Sequence, residues 1–223
     1  MIQQPLRSVY GTGVLVLALV LAGCGATRSS ADNPLSAGGL TPNVEDKEAG
    51  LVAIAPGFDI KSYATVAVAL FPVTDKLEDE GDRRFAAKMA AFLRIELVRR
   101  LRESGLFERV VEVNETAYQP GPGEKALKLE GAITRLGRGS QAARAFLGLY
   151  GAGRARAQAD MRFVEAPSDK VVLVTADRRV ASYAPLSFGG DDDELIRESF
   201  DNMARDLAKF LVRLAKGEAP KKD

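Results

Sequence analysis

The chain has 223 residues with 31 basic and 30 acidic side chains, no histidine, no tryptophan and one cysteine. That balance offers no field to attract nucleic acid, and it leaves zinc, haem and the common nucleophile–base pairs without their usual ligands. With 46% hydrophobic residues the chain has material for one packed core, which argues against general disorder.

Residues 1–23 read as a targeting segment. Arg7 and the amino terminus make a positive start, and Val14–Leu21, "VLVLALVL", is an uncharged apolar run. Its length suits a signal-peptide core of ~7–15 residues and falls short of the ~20 needed to span a bilayer. The next residues, Leu21-Ala22-Gly23-Cys24, resemble the bacterial lipobox. The resemblance implies recognition by the signal peptidase at Leu21, Ala22 and Gly23, cleavage before Cys24, and acylation of Cys24 on its sulfur and new amino group. Cys24 is the only cysteine, so no internal disulfide can form. One acyl chain binds a membrane marginally, and stable attachment takes at least two signals. Gly25 stands where an aspartate would signal retention at the inner membrane. The resemblance therefore implies the periplasmic face of the outer membrane, with the inner membrane as the lesser alternative. Cleavage also removes Arg7 and balances the remaining charge.

From Cys24 to Gly50 the chain is rich in Ser, Gly, Asn, Asp and Pro with no apolar period, and reads as a flexible tether. A single domain over 51–216 is expected to follow. "SYATVAVALFPV" (62–73) suggests a strand buried on both faces. A helix from about Arg83 to Ser104 carries Phe85, Met89, Phe92, Leu93, Leu97 and Leu101 as one apolar stripe, with acidic residues before it and Gly105 to stop it. "ERVVEV" (108–113) and "LKLEGAITRL" (127–136) read as strands, separated by the loop "AYQPGPGEKA". In "RARAQADMRFV" (154–164) Ala155, Ala157, Ala159, Met161 and Phe163 alternate with polar residues, which predicts a half-solvated strand. "APSD" turns this strand into "KVVLVTADRRVASY" (170–183) as an antiparallel hairpin. A last helix over about 193–216 has Ile196, Phe200, Met203, Leu207, Phe210, Leu211 and Leu214 on one face, and residues 217–223 read as a disordered tail. The fold class predicted is α+β: a mostly antiparallel sheet, two long helices packed on one face, and a short glycine-flanked helical excursion between strands.

That excursion, "LGRGSQAARAFLGLYGAGRA" (136–155), contains a G-x-G-x-x-A pattern at Gly137, Gly139 and Ala142. A dinucleotide site also needs an acidic residue ~20 positions on, at the end of the next strand. Asp160 falls in mid-strand and Glu165 is too far, so no bound nucleotide and no cofactor is expected. Read instead as a hinged apolar surface, the excursion either plugs one end of the sheet or docks a partner or a second copy of the chain. "DDDE" (191–194) lacks the spacing of a calcium loop and reads as helix-start charge, so no metal is expected.

Gly139, Ser140, Arg144, Gly148, Gly151, Gly153 and Arg154, with "YATVAVALF" and "LVRRLRESGLFERV" upstream, resemble a bacterial lipoprotein family, domain of unknown function 4410. The resemblance spans most of the domain and implies no activity. The expected function is a non-enzymatic, membrane-anchored accessory or assembly module of the cell envelope. Its candidate interaction residues are Arg144, Phe146, Leu147, Gly148, Tyr150, Gly151, Gly153 and Arg154. A self-assembling secretion-type pore is the alternative. A hydrolase lacks G-x-S-x-G and S-x-x-K in the folded part and has no histidine base.

Overall fold

The computed structural model of the protein describes residues 25–114, 118–137, 155–182 and 192–222. In chain order these contain β1 (Gly25–Ser29), β2 (Val44–Asp46), β3 (Gly50–Ile54), a 3-10 turn (Ile60–Ser62), β4 (Thr65–Val68), α1 (Glu80–Glu103), β5 (Arg109–Glu112), β6 (Ala126–Gly137), β7 (Ala155–Ala166), β8 (Val171–Ser182) and α2 (Asp192–Ala215). The described strands form one eight-stranded sheet in the order β2-β3-β8-β7-β6-β4-β5, with β1 also on β8. Only β4 is parallel to its neighbours, β5 and β6, and every other pairing is antiparallel. This is the mixed α+β class expected from the order of elements.

The period of β7 governs the centre of the fold. Ala155, Ala157, Ala159, Met161 and Phe163 share one face and are buried in a single apolar cluster with side chains of both helices. Small residues there let the helices approach, and α2 contacts β1, β7 and β8 while α1 contacts β4, β5 and α2. The β6 and β7 backbones also come close at Gly131, where a Cβ would lie 2.1 Å from the Asp160 carbonyl oxygen. Helix α1 starts earlier than its apolar stripe suggests because the Asp79 side chain accepts from the Asp82 N–H and caps it. Gly105, at φ +65°, ends it as expected.

Three expectations are corrected. The stretch read as a flexible tether is part of the sheet: β1 pairs with β8 from Gly25↔Ser182 to Ser29↔Arg178, and β2 pairs with β3. The outer edge of β8 is divided between two strands, β3 at Leu173–Ala176 and β1 at Arg178–Ser182. Without them this edge would present unpaired N–H and C=O groups. The C-terminal residues read as a loose tail are also held, since Lys47 N donates to Lys221 O at 2.9 Å and Lys221 N to Asp46 Oδ2 at 3.0 Å. The long strand over 62–73 is interrupted as well: after β4 the chain passes Pro72, and Val73 returns as a bridge to Ile133. Residues 138–154 of the glycine-flanked excursion lie outside the described residues.

Candidate functional site

The residue after Cys24 is already in the sheet. Gly25 stands opposite Ser182, Ala181 stands opposite both Ala26 and Ala155, and Arg156 stands opposite Gly137. The first residue of β1, the end of β8, the start of β7 and the end of β6 therefore share one end of the sheet. The chain leaves that end at Gly137, and again at Ser182, and re-enters it at Ala155.

A group of ion pairs fastens β1 there. Alternation along β8 puts Thr175, Asp177, Arg179 and Ala181 on the helix side, opposite Met161, Ala159, Ala157 and Ala155. Asp177 accepts from Arg179 Nη2 at 2.7 Å and from Arg28 Nε and Nη2 at 3.2 Å each. Arg179 Nη2 also reaches Asp206 Oδ2 of α2 at 3.0 Å, and Arg28 Nη2 donates to the Glu48 carbonyl. Burial pushes the Arg179 guanidinium down, but the charges of Asp177 and Asp206 more than reverse this and keep it protonated. A second group fastens the following turn. Arg213 of α2 holds Asp46 with bonds of 2.8 and 2.7 Å and Glu48 with one of 2.5 Å, while Asp46 also accepts from the N–H groups of Glu48 and Ala49.

Between β1 and β2 the chain crosses the outer face of the sheet as a strap. Arg178 Nη1 donates to Ser30 O; Gln158 accepts from Asp32 N at 2.7 Å and donates to Asp32 O at 2.9 Å. Asp160 Oδ2 accepts from Leu35 N at 2.9 Å, and Arg135 of β6 pairs with Asp32 at 3.1 Å. The polar face of β7, expected to be solvated, is thus covered at its centre: Gln158 is 0% and Asp160 4% exposed. Burial raises the Asp160 carboxyl above its ordinary range, opposed only in part by hydrogen bonds such as those from Gln158 and Leu35 N. Asp160, the nearest acidic residue to a dinucleotide pattern, is committed to the strap backbone.

The outer face also carries an open cleft of about 410 Å³ lined by residues that include Tyr118, Lys128, Glu130, Arg162 and Asp169. Its charges pair internally, Lys128 with Asp169 and Glu130 with Arg162 at 2.7 Å. Among the described residues no helix is long and apolar enough to cross a membrane.

Leu21, Ala22, Gly23 and Cys24 lie outside the described residues, as do Arg144, Phe146, Leu147, Gly148, Tyr150, Gly151, Gly153 and Arg154. What the structure adds is the ground they attach to. Sequence reasoning missed the clamp residues Arg28, Asp46, Asp177, Arg179 and Asp206. The alternation of β8 carried the available signal, because it places Asp177 and Arg179 in register with the alanines of β7.

A family model described as Domain of unknown function (DUF4410) matches residues 61–183. The chain belongs to this family. The matched span takes in α1 and the strands β4 to β8 but not β1, the strap or α2, so the DUF4410 match contains Asp177 and Arg179 without their partners Arg28 and Asp206. No protein of curated function matches the sequence. Among solved structures the chain is similar to the PelC dodecamer from Paraburkholderia phytofirmans, with 12% identity and a TM-score of 0.46 over 70% of this chain and 94% of that one. Protein XCC0632 from Xanthomonas campestris, of family DUF330, is 11% identical with a TM-score of 0.43 over 74% and 92%. A protein from Caulobacter crescentus assigned as a lipoprotein is 17% identical with a TM-score of 0.34 over 73% and 96%. Likenesses at this level assign neither activity nor assembly to the chain.

Proposed function

We propose that this DUF4410 protein is a lipoprotein held to the periplasmic face of the outer membrane through acylated Cys24. It serves there as a non-enzymatic accessory or assembly module of a cell-envelope complex. The observation that carries the reading is the pairing of Gly25 with Ser182, which joins the anchor position to the sheet with no free linker between them. An anchor so placed holds a rigid surface at a set distance from the bilayer, which suits docking better than capture of a diffusing substrate. The internally paired charges of the clamp and the cleft support a structural use of the polar residues rather than a catalytic one.

The proposed partner surface is the segment 138–154, with Arg144, Phe146, Leu147, Gly148, Tyr150, Gly151, Gly153 and Arg154 as its contacts. The pore alternative needs β7 to turn an apolar face to lipid, and that face is buried against the helices. The deciding experiment is the native mass and subunit content of the protein extracted gently in detergent from its own membranes. Other chains at a fixed ratio are expected, and Phe146→Ser with Leu147→Ser should release them. A bare monomer would overturn the assembly role, and a uniform homo-oligomer would favour the pore.

A further inference from the structure

We infer that the domain stands on the phospholipid headgroup layer with one defined end of its sheet, the end marked by Gly137, Ala155 and Ser182, and that Arg156 contacts lipid phosphate there. The inference rests on the lipid-anchor reading of Cys24. It deepens that reading by assigning a second, protein-borne membrane contact and an orientation.

Strand geometry places the anchor. Gly25 is paired with Ser182, so Cys24 lies one Cα step, about 3.8 Å, beyond a hydrogen-bonded residue. Neighbouring strands are ~4.8 Å apart, which puts β7 roughly 10 Å and β6 roughly 15 Å from β1. The three strand ends that share this end of the sheet with β1 therefore lie within ~15 Å of the acylated residue.

The anchor strand is also fixed in direction. Arg28 is held by Asp177 and the Glu48 carbonyl, and Ala26 N donates to Glu198 Oε1 of α2 at 3.4 Å. A tether would let the domain tumble; a clamped strand transmits the position of the lipid to the whole sheet.

Arg156 supplies the chemistry. It is exposed, sits beside the end of the sheet and stands opposite Gly137 on one side and Val180 on the other. A guanidinium binds phosphate through paired N–H groups and is weakly hydrated, which suits a headgroup contact. The opposite end of the hairpin, at Lys170, lies roughly 35 Å away by strand rise and faces the periplasm.

The test uses the full-length acylated protein in vesicles of phosphatidylethanolamine and phosphatidylglycerol. Because Cys24 is the only native cysteine, Glu194→Cys at the start of α2 or Lys170→Cys in the hairpin turn accepts a single fluorophore. Headgroup spin-labelled lipid should quench the label at 194 several-fold more than the label at 170, and Arg156→Glu should reduce that difference. A protein that does not float with the vesicles overturns the lipid anchor and this inference together. Flotation with equal quenching overturns the orientation while the anchor stands, and an undiminished difference in the Arg156→Glu variant overturns the phosphate contact.

Discussion

Arg28 of β1 and Asp177 of β8 meet through two hydrogen bonds of 3.2 Å, one to each carboxylate oxygen. Asp177 is 1% exposed and is shared with Arg179, itself buried and extended to Asp206. Asp177 thus bridges two guanidinium groups, and Asp206 supplies the second negative charge that balances them. Asp177→Ala leaves both without their first partner, and removing one side of a buried pair costs about 3–5 kcal/mol. The urea midpoint should fall accordingly, and limited proteolysis should cut between Gly25 and Asn43 before the sheet is lost. A loss below about 1 kcal/mol would show that Asp206 alone suffices for both arginines.

The strap is held by a side chain that reads its backbone. Gln158 accepts from Asp32 N and donates to Asp32 O and to Asp160 Oδ1. Gln158→Ala strips partners from three buried or half-buried groups, at a cost of about 1–3 kcal/mol. Hydrogen exchange separates this from general loosening. The amide of Asp32 should exchange faster while the amides of β6 and β8 keep their protection; uniform acceleration would mean that the strap has no independent opening.

At Gly131 the β6 backbone passes so near β7 that an added methyl would sit 2.1 Å from the Asp160 carbonyl oxygen and 2.9 Å from the Met161 Cα. Both obstacles are backbone, so neither can rotate away. Gly131→Ala is expected to cost about 1–3 kcal/mol, the range for overpacking a closed site. An unchanged melting temperature would show that the two strands can separate locally.

The elements with a strong period were legible and the polar ones were not. The stripe of α1 is buried at Phe85, Met89, Leu93, Leu97 and Leu101, and Phe92, at its margin, is half-buried with Arg197 over its ring. The alternation in β7 gave the correct apolar face. It could not tell that Gln158 and Asp160 opposite would be covered, because their cover is a polar segment more than a hundred residues earlier in the chain. That segment reads as a tether for the same reason: its fastenings are backbone groups bonded to distant side chains, which leave no apolar period. Asp46 is similar, a turn aspartate in sequence that becomes the buried partner of Arg213 only when α2 arrives. The lipobox resemblance at Leu21–Cys24 lies outside the described residues, and the strand that follows it was not legible in the sequence. β1 is five residues long with one β-branched side chain, and without the edge of β8 it has no reason to be extended.

The carboxylates divide into two kinds, and their opposite shifts predict a maximum in stability. Burial by itself would raise Asp46, Asp201 and Asp206, but the hydrogen bonds and opposite charges around them, led by Arg213, Arg100 and Arg179 respectively, together outweigh it and hold all three below the ordinary 3.8. Asp160 is raised above 3.8 by burial under the strap. A depressed group stabilises fully above 3.8 and loses that contribution as pH falls through its native value. A raised carboxyl acts in the other direction. Its native state prefers the proton, so its penalty is full above the native value and is relieved as pH falls towards 3.8. Urea midpoints taken from about pH 7 to about pH 2.5 should therefore rise slightly on mild acidification and then drop below 3.8. Asp160→Asn should remove the rise and keep the drop. If the rise persists in that variant, a group other than Asp160 takes up the proton; if wild type shows no rise, the strap admits enough water to solvate the Asp160 carboxylate.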